Sequence, residues 1–298
     1  MENNPLVTVN ILSYNRKDEL RTTLLKVFDQ DYKNIEVIVV DNASTDGSPE
    51  MVENEFPAVK LIKLRKNIGI AGWNEGFKLA EGEYVLVLDD DSYPEAGTIS
   101  GGLLDFSADE KLGVVGFKIF NHALNIFEND ELKFTDEKKY VLGFIGCGAM
   151  LKKDLFFRVN GFNEHIFLFH HEYEYSARLT DLGYKILIDP RYLVHHQVDR
   201  RGVKTNILDR KRFYRYFLSY SVFLLDNFYY YISFFFIIKL VISYFLISIR
   251  LKYFKEYFWG LSHLPEIFFN SLSKKKLSIK TQKIYKYGNF KFFKITIY

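Results

Sequence analysis

Residues 85–94 read VLVLDDDSYP, an apolar run followed at once by three carboxylates, Asp89, Asp90 and Asp91. The apolar part has the character of a buried strand. Like charges this close repel and raise one another's pKa. The run therefore asks for a positive partner, and a divalent cation carrying a phosphorylated donor is one. The strand it closes is the fourth of a series. LVTVNIL (6–12), IEVIVV (35–40) and VKLIKL (59–64) precede YVLVL (84–88). Between them DELRTTLLKVF (18–28) reads as a helix with Leu20, Leu24, Leu25 and Phe28 on one face. Further helices are expected over 48–55 and at the end of NIGIAGWNEGFKLAEG (67–82). Alternating buried strands and helices imply a doubly wound α/β fold with a Rossmann-like, mostly parallel sheet. Ligands of such sheets bind beyond the carboxyl ends of the strands. Asp41, Asn67 and the Asp89–Asp91 run all lie there.

Farther on, LGVVGFKIF (112–120) and the glycine-interrupted YVLGFIGCGAML (140–151) read as strands. KDLFFRVNGF (153–162) reads as a short helix and turn. HEYEYSARLTDLGY (171–184) reads as a helix closed by Gly183, followed by two short strands, KILIDP and RYLVHH. After residue 210 aromatic and aliphatic residues crowd together, and the tail interleaves lysines with aromatics. The net charge of +3 hides a division: residues 200–298 hold 19 Lys and Arg against 4 Asp and Glu, so they carry +15 and the rest −12. The expected organisation is a catalytic region over 1–210, with halves of about 1–110 and 111–210, and a helical region over 211–298. An acidic body with a basic appendage points to an anionic partner. The single cysteine, Cys147, excludes an internal disulfide and reads as a small buried side chain. The opening MENNPLVTVN lacks a basic stretch followed by a long apolar run, so a cytoplasmic catalytic part is expected.

The turn after the first strand, SYNRKDEL, has no GxGxxG, and no GxxxxGK[ST] occurs. A dinucleotide-dependent dehydrogenase and a P-loop NTPase are both disfavoured. Asp41 nevertheless ends the second strand, where a carboxylate can reach a ribose hydroxyl or a base edge. Taken alone it is as well explained as a turn or capping residue. On an extended segment Asp89 and Asp91 point to the same side and can address one hard cation together. A solvated acidic turn is the plainer alternative.

Four motifs in order change that balance. VTVNILSYNRKDELRTTLLKVFDQDYKNIEVIVVDNASTDGS, followed by NIGIAGWNEGFKLAEGEYVLVLDDD, resembles the family-two glycosyltransferases of the GT-A fold, over roughly residues 6–200. The resemblance implies inverting transfer of a sugar from a nucleotide-diphosphate donor, UDP- or dTDP-linked. It implies that Asp41 contacts the nucleoside, that Ser13, Asn15, Asn67 and Asn74 line the donor pocket, and that Asp90 supports them. Asp89 and Asp91 become the DxD pair for Mn2+ or Mg2+. HEYEYSAR matches the family's acidic helix start, with Glu172 as the base and Glu174 paired to Arg178. In YLVHHQ (192–197) His195 is the expected third metal ligand and His196 the fallback. A separate zinc cluster of His170, His171, His195 and His196 is disfavoured. Gly146 and Gly148 would let the backbone approach the sugar. The form of HEYEYSAR and LVHH resembles rhamnosyl- and galactofuranosyl-type transferases.

FYYYISFFFIIKLVISYFLISI (228–249) is near the length that spans a bilayer, with Lys239 in its middle. Helices lying on the membrane, with Tyr and Lys at the headgroups, fit better. A cap packed on the core or on a second copy is the competing reading. No nucleic-acid module is visible. The expected enzyme is an inverting glycosyltransferase of surface polysaccharide or glycolipid synthesis, peripheral on the inner membrane face, with a lipid-linked saccharide as acceptor. The alternatives are a nucleotidyltransferase and a non-catalytic sugar- or membrane-binding protein on the same scaffold.

Overall fold

The apolar runs become strands β1 (Val7–Ser13), β2 (Ile35–Asp41), β3 (Lys60–Lys63) and β4 (Tyr84–Asp89). Of these, β1, β2 and β4 are buried on both faces, while β3 lies half-exposed at the sheet edge. Helices α1 (Lys17–Phe28), α2 (Ser48–Glu55) and α3 (Gly72–Leu79) connect them. The structure is a computed structural model that describes residues 4–128, 135–197 and 210–288. Beyond β4 come β5 (Ser92–Pro94), α4 (Thr98–Ala108), β6 (Leu112–Asn121), β7 (Ile126–Phe127) and β8 (Lys139–Val141). Then follow β9 (Ala149–Lys152), α5 (Lys153–Arg158), α6 (His171–Asp181) and β10 (Lys185–His196).

All ten strands form one sheet in the order β3-β2-β1-β4-β9-β6-β10-β5, with β7 beside β6 and β8 beside β10. The long ladders β1–β2, β1–β4 and β6–β10 are parallel. Antiparallel β9 joins the two parallel halves. The period of two is visible in the packing. Val37, Val39, Leu86 and Leu88 face one cluster with Leu20, Leu24, Val27 and Met51. Ile38, Val40, Val85 and Val87 face the other, with Trp73, Phe77, Phe156 and Tyr175. Phe77 and Phe156 stack with centroids 3.5 Å apart. Burying a side chain of this size contributes about 1.5–3 kcal/mol. Gly76 lets α3 approach β1, since a Cβ there would stand 2.1 Å from Asn10 Oδ1.

Several expectations are corrected. The buried face of α1 is Leu20, Thr23, Leu24 and Val27, whereas Leu25 and Phe28 are exposed. A helix repeats every 3.6 residues, so adjacent Leu24 and Leu25 cannot both face inward. Residues 140–151 are not one strand, because a loop over 142–148 separates β8 from β9. KILIDP and RYLVHH form one strand with an irregularity between Asp189 and Leu193. Helix α4 gave no sequence signal, since TISGGLLDFSA places two glycines mid-helix.

Among the described residues five helices follow: α7 (Arg210–Asn227), α8 (Tyr230–Leu251), α9 (Phe254–Ser262), α10 (Leu264–Ser271) and α11 (Ile279–Gly288). They share a core of Phe213, Phe217, Phe236, Leu240 and Tyr244, which Ala177 of α6 joins. The Tyr285 hydroxyl ties α11 to the first region by donating to the Leu142 carbonyl at 2.9 Å. By length and composition α8 could cross a membrane, with 22 residues and a mean hydropathy of 2.4. Its Ser233, Phe236, Leu240, Tyr244 and Ser248 are buried, while Tyr231, Phe234, Phe235, Ile242 and Leu246 lie exposed. Residues 289–298 of the lysine- and aromatic-rich tail lie outside the described residues.

Candidate active site

The carboxyl ends of β1, β2 and β4 lie side by side, so Ser13 pairs in register with Asp41, and Leu12 with Asp89. Left-handed, non-glycine residues bracket this edge: Asn15 at φ 54°, Ala43 at 66°, Phe169 at 66° and His170 at 61°. Such backbone concentrates where surrounding structure over-determines it, often at functional sites.

Asp41 is buried, and one of its carboxylate oxygens accepts the Ser44 N–H at 3.0 Å. Its Oδ1 and the Ser13 hydroxyl are buried without hydrogen-bond partners. Buried polar atoms are normally paired, and a nucleoside donor or hydroxyl would satisfy both. Asn15 is exposed and accepts the Thr45 N–H at 2.7 Å. Asn67 turns back to accept the Gly69 N–H at 2.8 Å. Gly69 itself, at φ 66°, leaves no room for a side chain, because a Cβ would stand 2.0 Å from the Phe167 carbonyl. Asn74 departs from expectation. Its amide donates to the Phe162 carbonyl and accepts the Phe162 N–H, both at 2.9 Å. With both ends of the amide on one backbone, it fastens α3 to the loop before α6 instead of lining a donor pocket.

The acidic run is a turn and not an extended segment, so the expected i, i+2 alignment does not operate. The strand ends at Asp89, and Ser92 Oγ accepts the Asp89 N–H at 3.0 Å. Thr23 Oγ1 donates to the Asp90 carbonyl at 2.9 Å, and the Gln197 N–H donates to the Asp91 carbonyl at 2.7 Å. The three side chains then diverge. Asp90 accepts the Tyr14 N–H at 3.0 Å and faces the β1–α1 turn. Asp91 is ion-paired with Arg16, whose guanidinium also lies 3.6 Å from Asp90. Asp89, half-buried, accepts no hydrogen bond on its carboxylate among the described residues. Burial and then Asp91 push the Asp89 carboxyl up to about 7. Burial likewise raises Asp90, whereas His196 and Arg16 outweigh burial and hold Asp91 low.

His196, not His195, completes the cluster. Its Nε2 lies 3.3 Å from Asp91 Oδ1, and its Nδ1 is 2.6 Å from Glu128 Oε1. Adjacent strand residues point to opposite sides, so His195 turns away to His122 at 2.9 Å and stacks on Tyr93. The zinc cluster of four histidines does not form, because His171 is buried against Trp73 and Phe162. Burial works against a charged His196, but Asp91 and Glu128 push it up to about 10. An acidic oxygen, the Cys147 sulfur and a His196 nitrogen come together, with the ligand atoms of Asp89, Cys147 and His196 within 4.8 Å of one another. A divalent cation fits this set: the Asp89 carboxylate accepts no hydrogen bond among the described residues, and Glu128 orients the imidazole as metal-bound histidines require.

Glu172 stands in the first turn of α6, and its carboxylate accepts the Gly146 N–H at 3.3 Å. Burial pushes it up to about 7, with the Gly146 bond opposing. The neighbouring His171 Nδ1 is 3.1 Å away, but burial holds His171 neutral at about 3, so the contact is not an ion pair. Glu174 is engaged elsewhere, since Arg178 Nε donates to it at 2.8 Å while the same guanidinium grips the Gly161 carbonyl at 2.7 Å. Gly148 serves packing, with Ile119 and Val194 where its Cβ would be. Sequence reasoning missed Arg16 and Glu128. Arg16 lies inside the YNR turn, where a contact with the acidic run was legible as charge complementarity. Glu128 had no signal.

Residues 8–163 match the description glycosyl transferase family 2. Among curated proteins, the chain is 37% identical over 91 residues to the Escherichia coli UDP-Glc:α-D-GlcNAc-diphosphoundecaprenol β-1,3-glucosyltransferase WfaP, covering 30% of this chain and 36% of that protein. It is 28% identical over 215 residues to the amylovoran biosynthesis glycosyltransferase AmsB of Erwinia amylovora, covering 65% of this chain and 71% of that one. The chain spans 45% and 36% of two further relatives, from Haemophilus influenzae and Bacillus subtilis. A mannosyltransferase from Pyrobaculum calidifontis, solved with GDP-Man and Mn2+, superposes with a TM-score of 0.61 at 22% identity, over 95% of this chain and 79% of that chain. That likeness establishes the GT-A fold.

Proposed function

This chain belongs to glycosyl transferase family 2, and on that premise we propose that it is an inverting, metal-dependent glycosyltransferase of bacterial surface polysaccharide or glycolipid synthesis. The observation that carries the reading is the approach of the Asp89 and His196 ligand atoms to within 4.8 Å at the carboxyl edge of the sheet, with Asp91 held against His196 and the unpartnered Asp41 Oδ1 and Ser13 hydroxyl at the neighbouring strand ends.

Asp41 and Ser13 bind the nucleoside, and the Asn15 turn closes over it. Asp89, Asp91 and His196 hold Mn2+ or Mg2+, which when bound offsets the negative charge of the diphosphate. Arg16 keeps Asp91 ionised and aimed. Glu172 takes the proton from the acceptor hydroxyl. The acceptor oxygen bonds to the anomeric carbon, the bond from that carbon to the diphosphate oxygen breaks, and the nucleoside diphosphate leaves with the electron pair. A carboxylate pushed to about 7 is a suitable base near neutral pH. The Gly146 N–H fixes which oxygen of Glu172 faces the acceptor.

Likeness to a glucosyltransferase whose acceptor is a diphosphoundecaprenol-linked sugar supports a lipid-linked acceptor here. The exposed apolar face of α8 then rests on the inner face of the membrane. α8 lies in the plane and does not span, because Phe236, Leu240 and Tyr244 are covered by α7 and α9. Lys252, Lys255, Lys274 and Lys275 supply charge for anionic headgroups.

Calorimetry of UDP, dTDP and GDP, with and without Mn2+, on the wild type and Asp91→Ala tests the reading. Metal-dependent binding of one nucleotide, lost in the variant, is expected. No metal-dependent binding of any nucleotide would leave the non-catalytic scaffold as the better account.

A further inference from the structure

The loop over 142–148 brings two chemistries to one place. Gly146 offers its N–H to Glu172, and the next residue turns its sulfur toward the acidic turn. Cys147 is 4% exposed and belongs to the same buried cluster as Ile119 and Val194. A buried cysteine is ordinarily a small hydrophobe. This one is different on its open side. Burial, and then the carboxylates of Glu128, Asp89, Asp91 and Glu172, push its thiol up. Its Sγ, an Asp89 oxygen and a His196 nitrogen all lie within 4.8 Å of one another. Ligands held at about 2.0–2.3 Å from one ion stand up to about 4.5 Å apart, so small movements bring all three onto a common centre. A second feature points to the same spot: the Asp89 carboxylate in this set accepts no hydrogen bond among the described residues, and Glu128 holds the opposite side of the His196 ring, its Oε1 2.6 Å from Nδ1.

We propose that Cys147 is itself a ligand of the divalent cation, giving this site a carboxylate–imidazole–thiolate set in place of a carboxylate–imidazole one. The inference rests on the metal-dependent reading of the site and extends it to metal preference. On binding a divalent cation the thiol loses its proton to solvent and the sulfur bonds to the metal. Soft thiolate donors favour Zn2+ and Co2+ over Mg2+. Adding a thiolate to the Asp89 and His196 ligands therefore shifts the site's preference from Mg2+ toward borderline ions.

Co2+ binding followed by absorption spectroscopy tests this on the full chain without recourse to activity. The expected result is an intense near-ultraviolet sulfur-to-cobalt charge-transfer band in the wild type. Cys147→Ser and Cys147→Ala lose that band while still binding Co2+ by equilibrium dialysis. Zn2+ affinity drops by at least about 10-fold in both variants, and Mg2+ affinity changes far less. Circular dichroism checks that both variants are folded, and the wild-type spectrum alone decides the matter if they are not. Co2+ bound to the wild type without the band overturns the thiolate ligand and leaves the metal-dependent reading standing. No Co2+ binding at all overturns both.

Discussion

His196 Nε2 lies 3.3 Å from Asp91 Oδ1, and no other imidazole among the described residues is ion-paired with the acidic turn. Glu128 holds the opposite ring nitrogen, so the ring cannot swing away without breaking a 2.6 Å contact. His196→Ala should weaken Mn2+-dependent nucleotide binding by about 10–100-fold or more. His195→Ala, on the opposite side of β10, should leave it within about threefold. Mn2+ titration at saturating nucleotide separates the two. Equal losses would return the role to His195.

Glu172→Gln should lower kcat by about 10²–10⁴ with nucleotide affinity kept, since a general base contributes that much. The pH profile follows from the direction of its shift. Burial raises the carboxyl to about 7, and the base acts only when ionised. The rate should therefore climb with pH through about 7 and fall about tenfold per unit below it. A flat profile between pH 5 and 8 would remove Glu172 from the reaction.

Arg16 pairs with Asp90 and shares Asp91 with His196, with 41% of its own side chain exposed. Its exposure and solvent screening limit the loss in Arg16→Ala to about 1–3 kcal/mol, less than a fully buried pair. The midpoint should drop by several degrees, at about 2–4 °C per kcal/mol. Mn2+ should restore more of the midpoint in the variant than in the wild type, because the ion relieves the same repulsion. Thermal unfolding with and without Mn2+ measures this, and equal metal effects would refute it.

Asn74→Ala should cost about 1–3 kcal/mol of stability, since it leaves the Phe162 N–H and C=O unpaired in the interior. Urea unfolding reads the loss. Donor affinity at low temperature should be unchanged, and a selective loss of donor affinity would restore Asn74 to the pocket.

Phe234 and Phe235 are 68% and 64% exposed on the apolar face of α8. Replacing both with Glu should reduce co-sedimentation with phosphatidylglycerol vesicles by at least about 10-fold, through lost apolar insertion and added repulsion. Turnover on a soluble acceptor should persist. Unchanged sedimentation would point instead to a protein partner for this face.

Much of the site's inventory was legible in the chain, because its parts sit at strand ends. A buried apolar run must stop where the sheet stops, so the residues after VLVL and IEVIVV had to emerge at the ligand edge. Hence Asp41, Asp89 and Asp91 could be named from order and spacing. The pairing of Glu174 with Arg178 was likewise local, set by helical geometry alone. Which side chains converge was not legible. Asp89 comes from β4, Cys147 from the loop before β9, Glu172 from α6 and His196 from the end of β10, and β4 and β10 are neighbours of neither sequence nor hydrogen bonding.

Sequence by itself thus determined the class of fold, the acidic edge and the apolar, basic character of the last hundred or so residues, all of which follow from local periodicity and composition. Tertiary structure alone set His196 and not His195 beside Asp91, tied Asn74 to Phe162 and brought Cys147 beside Asp89 and His196. Those outcomes depend on the phase at which a strand or helix meets its neighbours. Phase is set by packing across the whole sheet, and a one-residue change in it moves every side chain to the other face.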